Sequence, residues 1–195
     1  MSRAQGGNSN GGAPQFGGFD DQPVGLGQRT LAVDLVACLL EAATADPRIL
    51  AIEPERALAS GTLIVAAAGN NAKRPGNVGY VGVPANAKTI MAVGALDPRL
   101  AIASFSARSN PLARGGQVDI AAPGVDVYSS LPMPKRYGAY SGTSMATPHV
   151  AGIAALWAHA GGGGGEGLWS TLVRTARRLS LPSVDVGAGL AQAPQ

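Results

Sequence analysis

Ser141-Gly142-Thr143-Ser144-Met145-Ala146-Thr147-Pro148-His149-Val150-Ala151 reads as a tight turn that runs straight into a helix. The helix is expected from about Ser144 to Ala160. Val150, Ile153, Ala154 and Trp157 recur at helical spacing and form its core-facing stripe. Pro148 falls in the first turns, where proline is tolerated. Ser144 is therefore expected at a helix N-terminus, where the dipole and unpaired backbone N–H groups favour developing negative charge. A serine hydroxyl with that support suits nucleophilic attack on a carbonyl.

The flanking sequence reads as an α/β chain. Thr62 to Ala68 is an unbroken apolar run, expected as a strand with both faces and both edges covered. Further strands are expected at about 89–94 and 117–121, with an extended piece at 125–130. Pro54 to Ser60 reads as a short helix, with Pro54 at its first position and Gly61 just past its end. Thr30 can cap a helix to about Ala45, which Asp46-Pro47 ends. Gly161 to Gly165 stops the long helix, and Leu168 to Leu179 forms the last one. Residues 1–14 are polar and glycine-rich and are expected to be disordered, with one domain over 15–195.

Composition supports a packed core. Hydrophobic residues make up 46% of the 195 and charged residues only 14%, so a sizeable apolar interior can form. The net charge of +3 is mild, and the one basic group, Arg174, Arg177 and Arg178, reads as a solvated helix face rather than a nucleic-acid surface. Cys38 is the lone cysteine, which rules out an intrachain disulfide, and it reads as a buried thiol. No stretch is long and apolar enough to span a membrane.

Gly142-Thr143-Ser144-Met145-Ala146-Thr147-Pro148-His149-Val150-Ala151-Gly152 closely resembles the nucleophile segment of the subtilisin-like serine proteases, the subtilases. Other segments follow in that family's order: Ile64 to Asn70, Thr89 to Ala95, Ser104-Phe105-Ser106, Val118 to Gly124, Tyr137 to Tyr140 and Val186 to Leu190. The resemblance runs from about Phe16 to Leu190. It implies the C-terminal part of a subtilisin-like three-layer α/β fold, a mostly parallel sheet flanked by helices.

The resemblance also implies the site. Ser144 would be the nucleophile of a serine endopeptidase, and the Asn70 amide with the Ser144 N–H would bind the oxyanion. Read by itself, Gly69-Asn70-Asn71 is simply a turn. Substrate contacts would come from Phe16-Gly17-Gly18, from Ala67-Ala68-Gly69, from Gly82 at a pocket floor, and from Thr143. Small walls without an acidic residue suit a large apolar side chain. Calcium is often bound in the family, but no residue here matches a calcium loop, and Asp20-Asp21 reads as a solvated turn.

The triad is incomplete as read. It needs an aspartate and a histidine in turns upstream of the serine, and neither turn is present. His149 and His159 both follow Ser144. His149 lies five residues on, about 7.5 Å along the axis and roughly 140° around it, out of reach of the serine hydroxyl. The expectation is a fragment acting on polypeptides only with an aspartate and histidine from a missing N-terminal half or a partner chain. The family is commonly secreted, and the absence of a signal peptide pattern fits a missing front end. The other reading is a non-catalytic remnant that binds peptides. An α/β-hydrolase elbow is disfavoured because Ala146 stands where Gly-x-Ser-x-Gly needs its second glycine.

Overall fold

The computed structural model describes residues 54–113, 115–161 and 163–195. The expected helix 30–45, Cys38 and the expected disorder of 1–14 lie outside them. Among the described residues, β1 (Ile64–Ala67), β2 (Ile90–Leu96) and β3 (Ile120–Pro123) form a parallel sheet in the order β1-β2-β3. Ile64 pairs with Ile90 and Val93 with Ile120. All seven residues of β2 are buried. That is why its sequence, Ile-Met-Ala-Val-Gly-Ala-Leu, shows no polar alternation. β2 takes the centre, whereas β1, expected to be covered on both edges, pairs with β2 alone among the described residues.

The pleat sends alternate side chains into separate layers. Met91, Val93, Ala95, Ile120 and Ala122 point into the larger core, shared with Val150, Ala154, Leu168 and Leu172. Ala66, Ala92 and Val118 fill a second core, and Leu96, Ala121 and Val186 a third. The long helix α2 (Thr143–His159) packs on all three strands. Outside it, α3 (Gly165–Thr175) packs against α2 and against the short α1 (Pro54–Ala59). The α4 turn (Ser183–Val186) touches β2. No described helix is long and apolar enough to cross a membrane.

Two elements differ from expectation. β4 (Val127–Ser130) is paired, antiparallel with β5 (Tyr137–Tyr140), and Tyr128 stacks on Tyr137 at 5.9 Å between ring centres. The helix expected over 168–179 is α3, which ends at Thr175, so Arg177 and Arg178 do not share it with Arg174. The cause is tertiary: Arg177 exchanges both backbone hydrogen bonds with Leu190, at 2.8 and 2.9 Å, which forces extended backbone at Ala176.

An ion cluster ties the C-terminal segment to the sheet. The Asp185 side chain is buried, and its carboxylate accepts from Arg74 Nη2 at 2.6 Å and from Arg108 Nε and Nη2 at 2.7 Å each. Arg74 also donates twice to the Ser106 carbonyl. Burial alone would raise the Asp185 pKa, but the hydrogen bonds from Arg108 and Arg74, with their charges, hold it below the usual range. Asp119, just before β3, differs. Burial pushes its carboxyl up to about 6, against a 2.7 Å hydrogen bond donated by the Ala92 N–H.

The two carboxylates carry opposite pH signatures. The depressed Asp185 stabilises the fold above its unfolded pKa, and that contribution is lost as pH falls below about 4. The raised Asp119 favours the fold only while protonated, so stability falls as pH rises from about 4 to 6. Asp119→Asn is expected to stabilise the chain by about 2 kcal/mol more at pH 7.5 than at pH 4.5. Asp185→Asn is expected to cost about 3 kcal/mol at pH 7.5, the low end for a broken buried pair because Arg108 stays partly solvated. Urea unfolding of both variants at the two pH values measures this.

Candidate functional site

The three parallel strands end on the same side, and the chain crosses that side to start α2. Gly124, just past β3, donates its N–H to the Leu96 carbonyl at the end of β2, and its own carbonyl accepts the Gly142 N–H at 2.8 Å. A Cβ at Gly124 would lie 2.7 Å from Ala95 Cβ and 2.8 Å from the Gly142 carbonyl. Only glycine lets the helix start sit this tightly on the strand ends. Ser144 is then the second residue of α2, exposed, at the carboxyl end of the sheet where α/β proteins place ligands.

Thr143 assembles the rest. Its side chain is wholly buried. Its Oγ1 accepts the Gly69 N–H at 3.2 Å and donates to Asn70 Oδ1 at 2.9 Å. Asn70 Oδ1 also accepts the Thr143 N–H, at 2.8 Å. A backbone N–H can only donate, so the amide oxygen must face Thr143 and the Asn70 Nδ2 must face away. Where Nδ2 goes is visible at Gly142. A Cβ there would lie 3.3 Å from Asn70 Nδ2 and 3.7 Å from the Ser144 amide nitrogen. Two N–H donors on chain segments 74 residues apart thus border one small space beside the serine.

Ser144 has no basic partner among the described residues. His149 Nδ1 lies 2.9 Å from the Met145 carbonyl, one turn back on its own helix. His159 is exposed at the far end of α2, roughly 22 Å along the axis. Calcium finds no cluster of three or more His, Cys, Asp or Glu among the described residues.

The expected substrate-contact residues divide. Ala68 and Gly82 are joined by a 3.2 Å hydrogen bond from the Gly82 N–H to the Ala68 carbonyl, so the expected wall and floor do meet. Gly82 is exposed, and a Cβ there would meet nothing within 4 Å. Ala67 is half-buried at the end of β1, and Gly69 follows with φ +120°. The Ala68 and Thr143 side chains are wholly buried, so they shape the site from beneath. Phe16, Gly17 and Gly18 lie outside the described residues. Thr143 as the lock on Asn70, and Gly142 as the open corner, were not assigned from the residue pattern. Their position beside Ser144 in the motif was the available signal. Ser141 Oγ, accepting the Asp126 N–H at 2.9 Å, was likewise unforeseen and ties the two ends of the hairpin.

The Peptidase S8 subtilase family model matches residues 41–190. The chain belongs to the subtilase family. Its similarity to curated members is high but local. It is 47% identical over 102 residues to a subtilisin of Bacillus pumilus and to subtilisin E of Bacillus subtilis (strain 168). The match covers 52% of this chain and 34% and 25% of those proteins. Alkaline elastase YaB of Bacillus sp. (strain YaB) is 50% identical over 101 residues, 52% of this chain and 24% of that one. The chain thus spans about a third or less of the curated relatives it matches. A solved structure described as "S41 Psychrophilic Protease" superposes with a TM-score of 0.61 at 32% identity, covering 72% of this chain and 51% of that one.

Thr143→Val keeps the shape of this subtilase's buried side chain but removes the hydroxyl. It leaves the Gly69 N–H without its acceptor, at a cost of about 1–3 kcal/mol. Chemical denaturation is expected to show that loss. The Asn70 side-chain amide resonances are expected to shift toward those of a mobile, solvated amide.

Proposed function

We propose that this chain is the serine-bearing part of a subtilisin-type endopeptidase. In this reading Ser144 Oγ attacks a peptide carbonyl. The resulting oxyanion lies in the space beside Gly142 and accepts from Asn70 Nδ2 and the Ser144 N–H, which are preorganised donors at the point where charge develops. The open surface at Gly82, beside Ala67, Ala68 and Gly69, receives the side chain preceding the scissile bond, with a preference for large apolar groups. The observation that carries the proposal is the convergence of Asn70 Nδ2 and the Ser144 N–H on one space.

Among the described residues, no base reaches Ser144. Both of its histidines sit on α2, and neither reaches Ser144. We therefore place the aspartate and histidine on a segment outside this chain, either the remaining length of a longer protein or a partner. Measured on subtilisin itself, loss of the serine or the histidine costs about 2 × 10⁶ in turnover, roughly 8–9 kcal/mol of barrier. The remaining reading, a peptide-binding module without catalysis, uses the same surface and the same oxyanion donors.

Peptide hydrolysis by the chain and by Ser144→Ala, with and without a subtilase N-terminal half carrying the aspartate and histidine turns, tests the proposal. Alone, the chain is expected to show no Ser144-dependent turnover; with the added half, Ser144-dependent hydrolysis is expected to emerge. Turnover above about 1 s⁻¹ by the chain alone, an ordinary enzymatic rate, would overturn the missing base. Stable assembly without any hydrolysis, together with saturable peptide binding, would favour the binding module.

A further inference from the structure

At the opposite end of the sheet from Ser144, before the first residue of β3, lies a hollow of about 490 Å³. Its walls come from the C-terminal end of α3 and the residues just past it, from α4, and from the stretch Val118-Asp119. Two features of the lining are unusual together. Val173 and Val184 are 38% and 40% exposed, two apolar side chains left open to solvent on facing elements. Arg174 and Arg178 line the same hollow, both are exposed, and among the described residues neither guanidinium is in an ion pair or a side-chain hydrogen bond.

The contrast within the chain gives this weight. Arg74 and Arg108 are both committed to Asp185, whereas Arg174 and Arg178 have no carboxylate partner among the described residues. Asp119, on the same wall, makes no ion pair with either of them among the described residues; its Oδ2 accepts the Ala92 N–H. Ser109 Oγ accepts the Val118 N–H at 2.8 Å, and its own proton remains to be donated. The hollow therefore offers apolar surface beside an excess of unused donors, most of them cationic. That combination matches a ligand with an apolar body and an anionic head.

We propose that this hollow binds a small carboxylate with an apolar body, the carboxylate on Arg174 and Arg178 and the body on Val173 and Val184. The planar guanidinium fork matches a carboxylate, and two such residues lining one hollow favour a charged head over its neutral amide. The site is separate from Ser144 and does not depend on the proposed peptidase reading.

The probes are 4-phenylbutyrate and its neutral amide, 4-phenylbutyramide, titrated into the full chain with Ser144→Ala to exclude turnover. Methyl resonances of Val173 and Val184 and the guanidinium resonances of Arg174 and Arg178 are the readout. The acid is expected to saturate these shifts and to bind at least about tenfold tighter than the amide, the scale of one charge-assisted hydrogen bond. Arg174→Gln with Arg178→Gln is expected to weaken the acid about tenfold or more. Arg177→Gln, which removes a neighbouring charge that does not line the hollow, is expected to leave it unchanged. Unfolding midpoints establish that each variant folds. Equal binding of acid and amide, equal weakening by Arg177→Gln, or no saturable shift in the folded chain would each overturn the proposal.

Discussion

Thr143 has a buried hydroxyl between two chain segments and no solvent to satisfy it. It accepts from Gly69 and donates to Asn70 at once, while its own amide donates to the same Asn70 oxygen. These bonds fix which end of the Asn70 amide faces inward, and so determine that Nδ2 faces the space beside Ser144. The start of α2 can hold Thr143 there only because Gly124 lets Gly142 rest on the end of β2. Beneath that contact, β2 is buried along its full length and cannot shift without opening the cores on both of its faces. The placement of Ser144 thus follows from the packing of the sheet.

The site separates two parts of a mechanism that are usually seen together. In the proposed mechanism, electrostatic stabilisation needs only fixed donors, and Asn70 Nδ2 and the Ser144 N–H both lie on described elements of this chain. Proton transfer needs a base within hydrogen-bond reach of Ser144, and α2 holds its own histidines on other faces or at its far end. A helix is a rigid body on this scale, so no local rearrangement brings His149 round to the serine while its ring stays within reach of the Met145 carbonyl.

Much of this could be read along the chain where the signal is local. The turn before Ser144, the proline start of α1, Gly61 with φ +95° beyond its end, and the apolar run of β1 each announce themselves within a few residues. What escaped depends on distant partners. Asp185 looks like an ordinary polar residue until Arg74 and Arg108 arrive from 111 and 77 positions away. The end of α3 is set by Leu190, not by any helix stop in its own sequence. Tyr137 to Tyr140 becomes a strand only because Val127 to Ser130 lies beside it. At the proposed site, the expectation of Ser144 and Asn70 came from the order of the motifs. The hydrogen bonds through Thr143 that orient Asn70 were not, because a serine–threonine turn does not reveal which neighbour its hydroxyl will meet.

The central claim, a preassembled nucleophile and oxyanion site with no base, is tested most directly by the pH dependence of covalent labelling. A fluorophosphonate reacts with a serine in proportion to its activation. The rate constant for labelling Ser144 in the isolated chain, with Ser144→Ala as the blank, can be followed from pH 5 to 10. The account predicts slow labelling that climbs steadily with hydroxide and shows no inflection in the ordinary histidine range, about pH 6–7. Rapid stoichiometric labelling with an inflection in that range would contradict it, since it would require a titrating base beside Ser144.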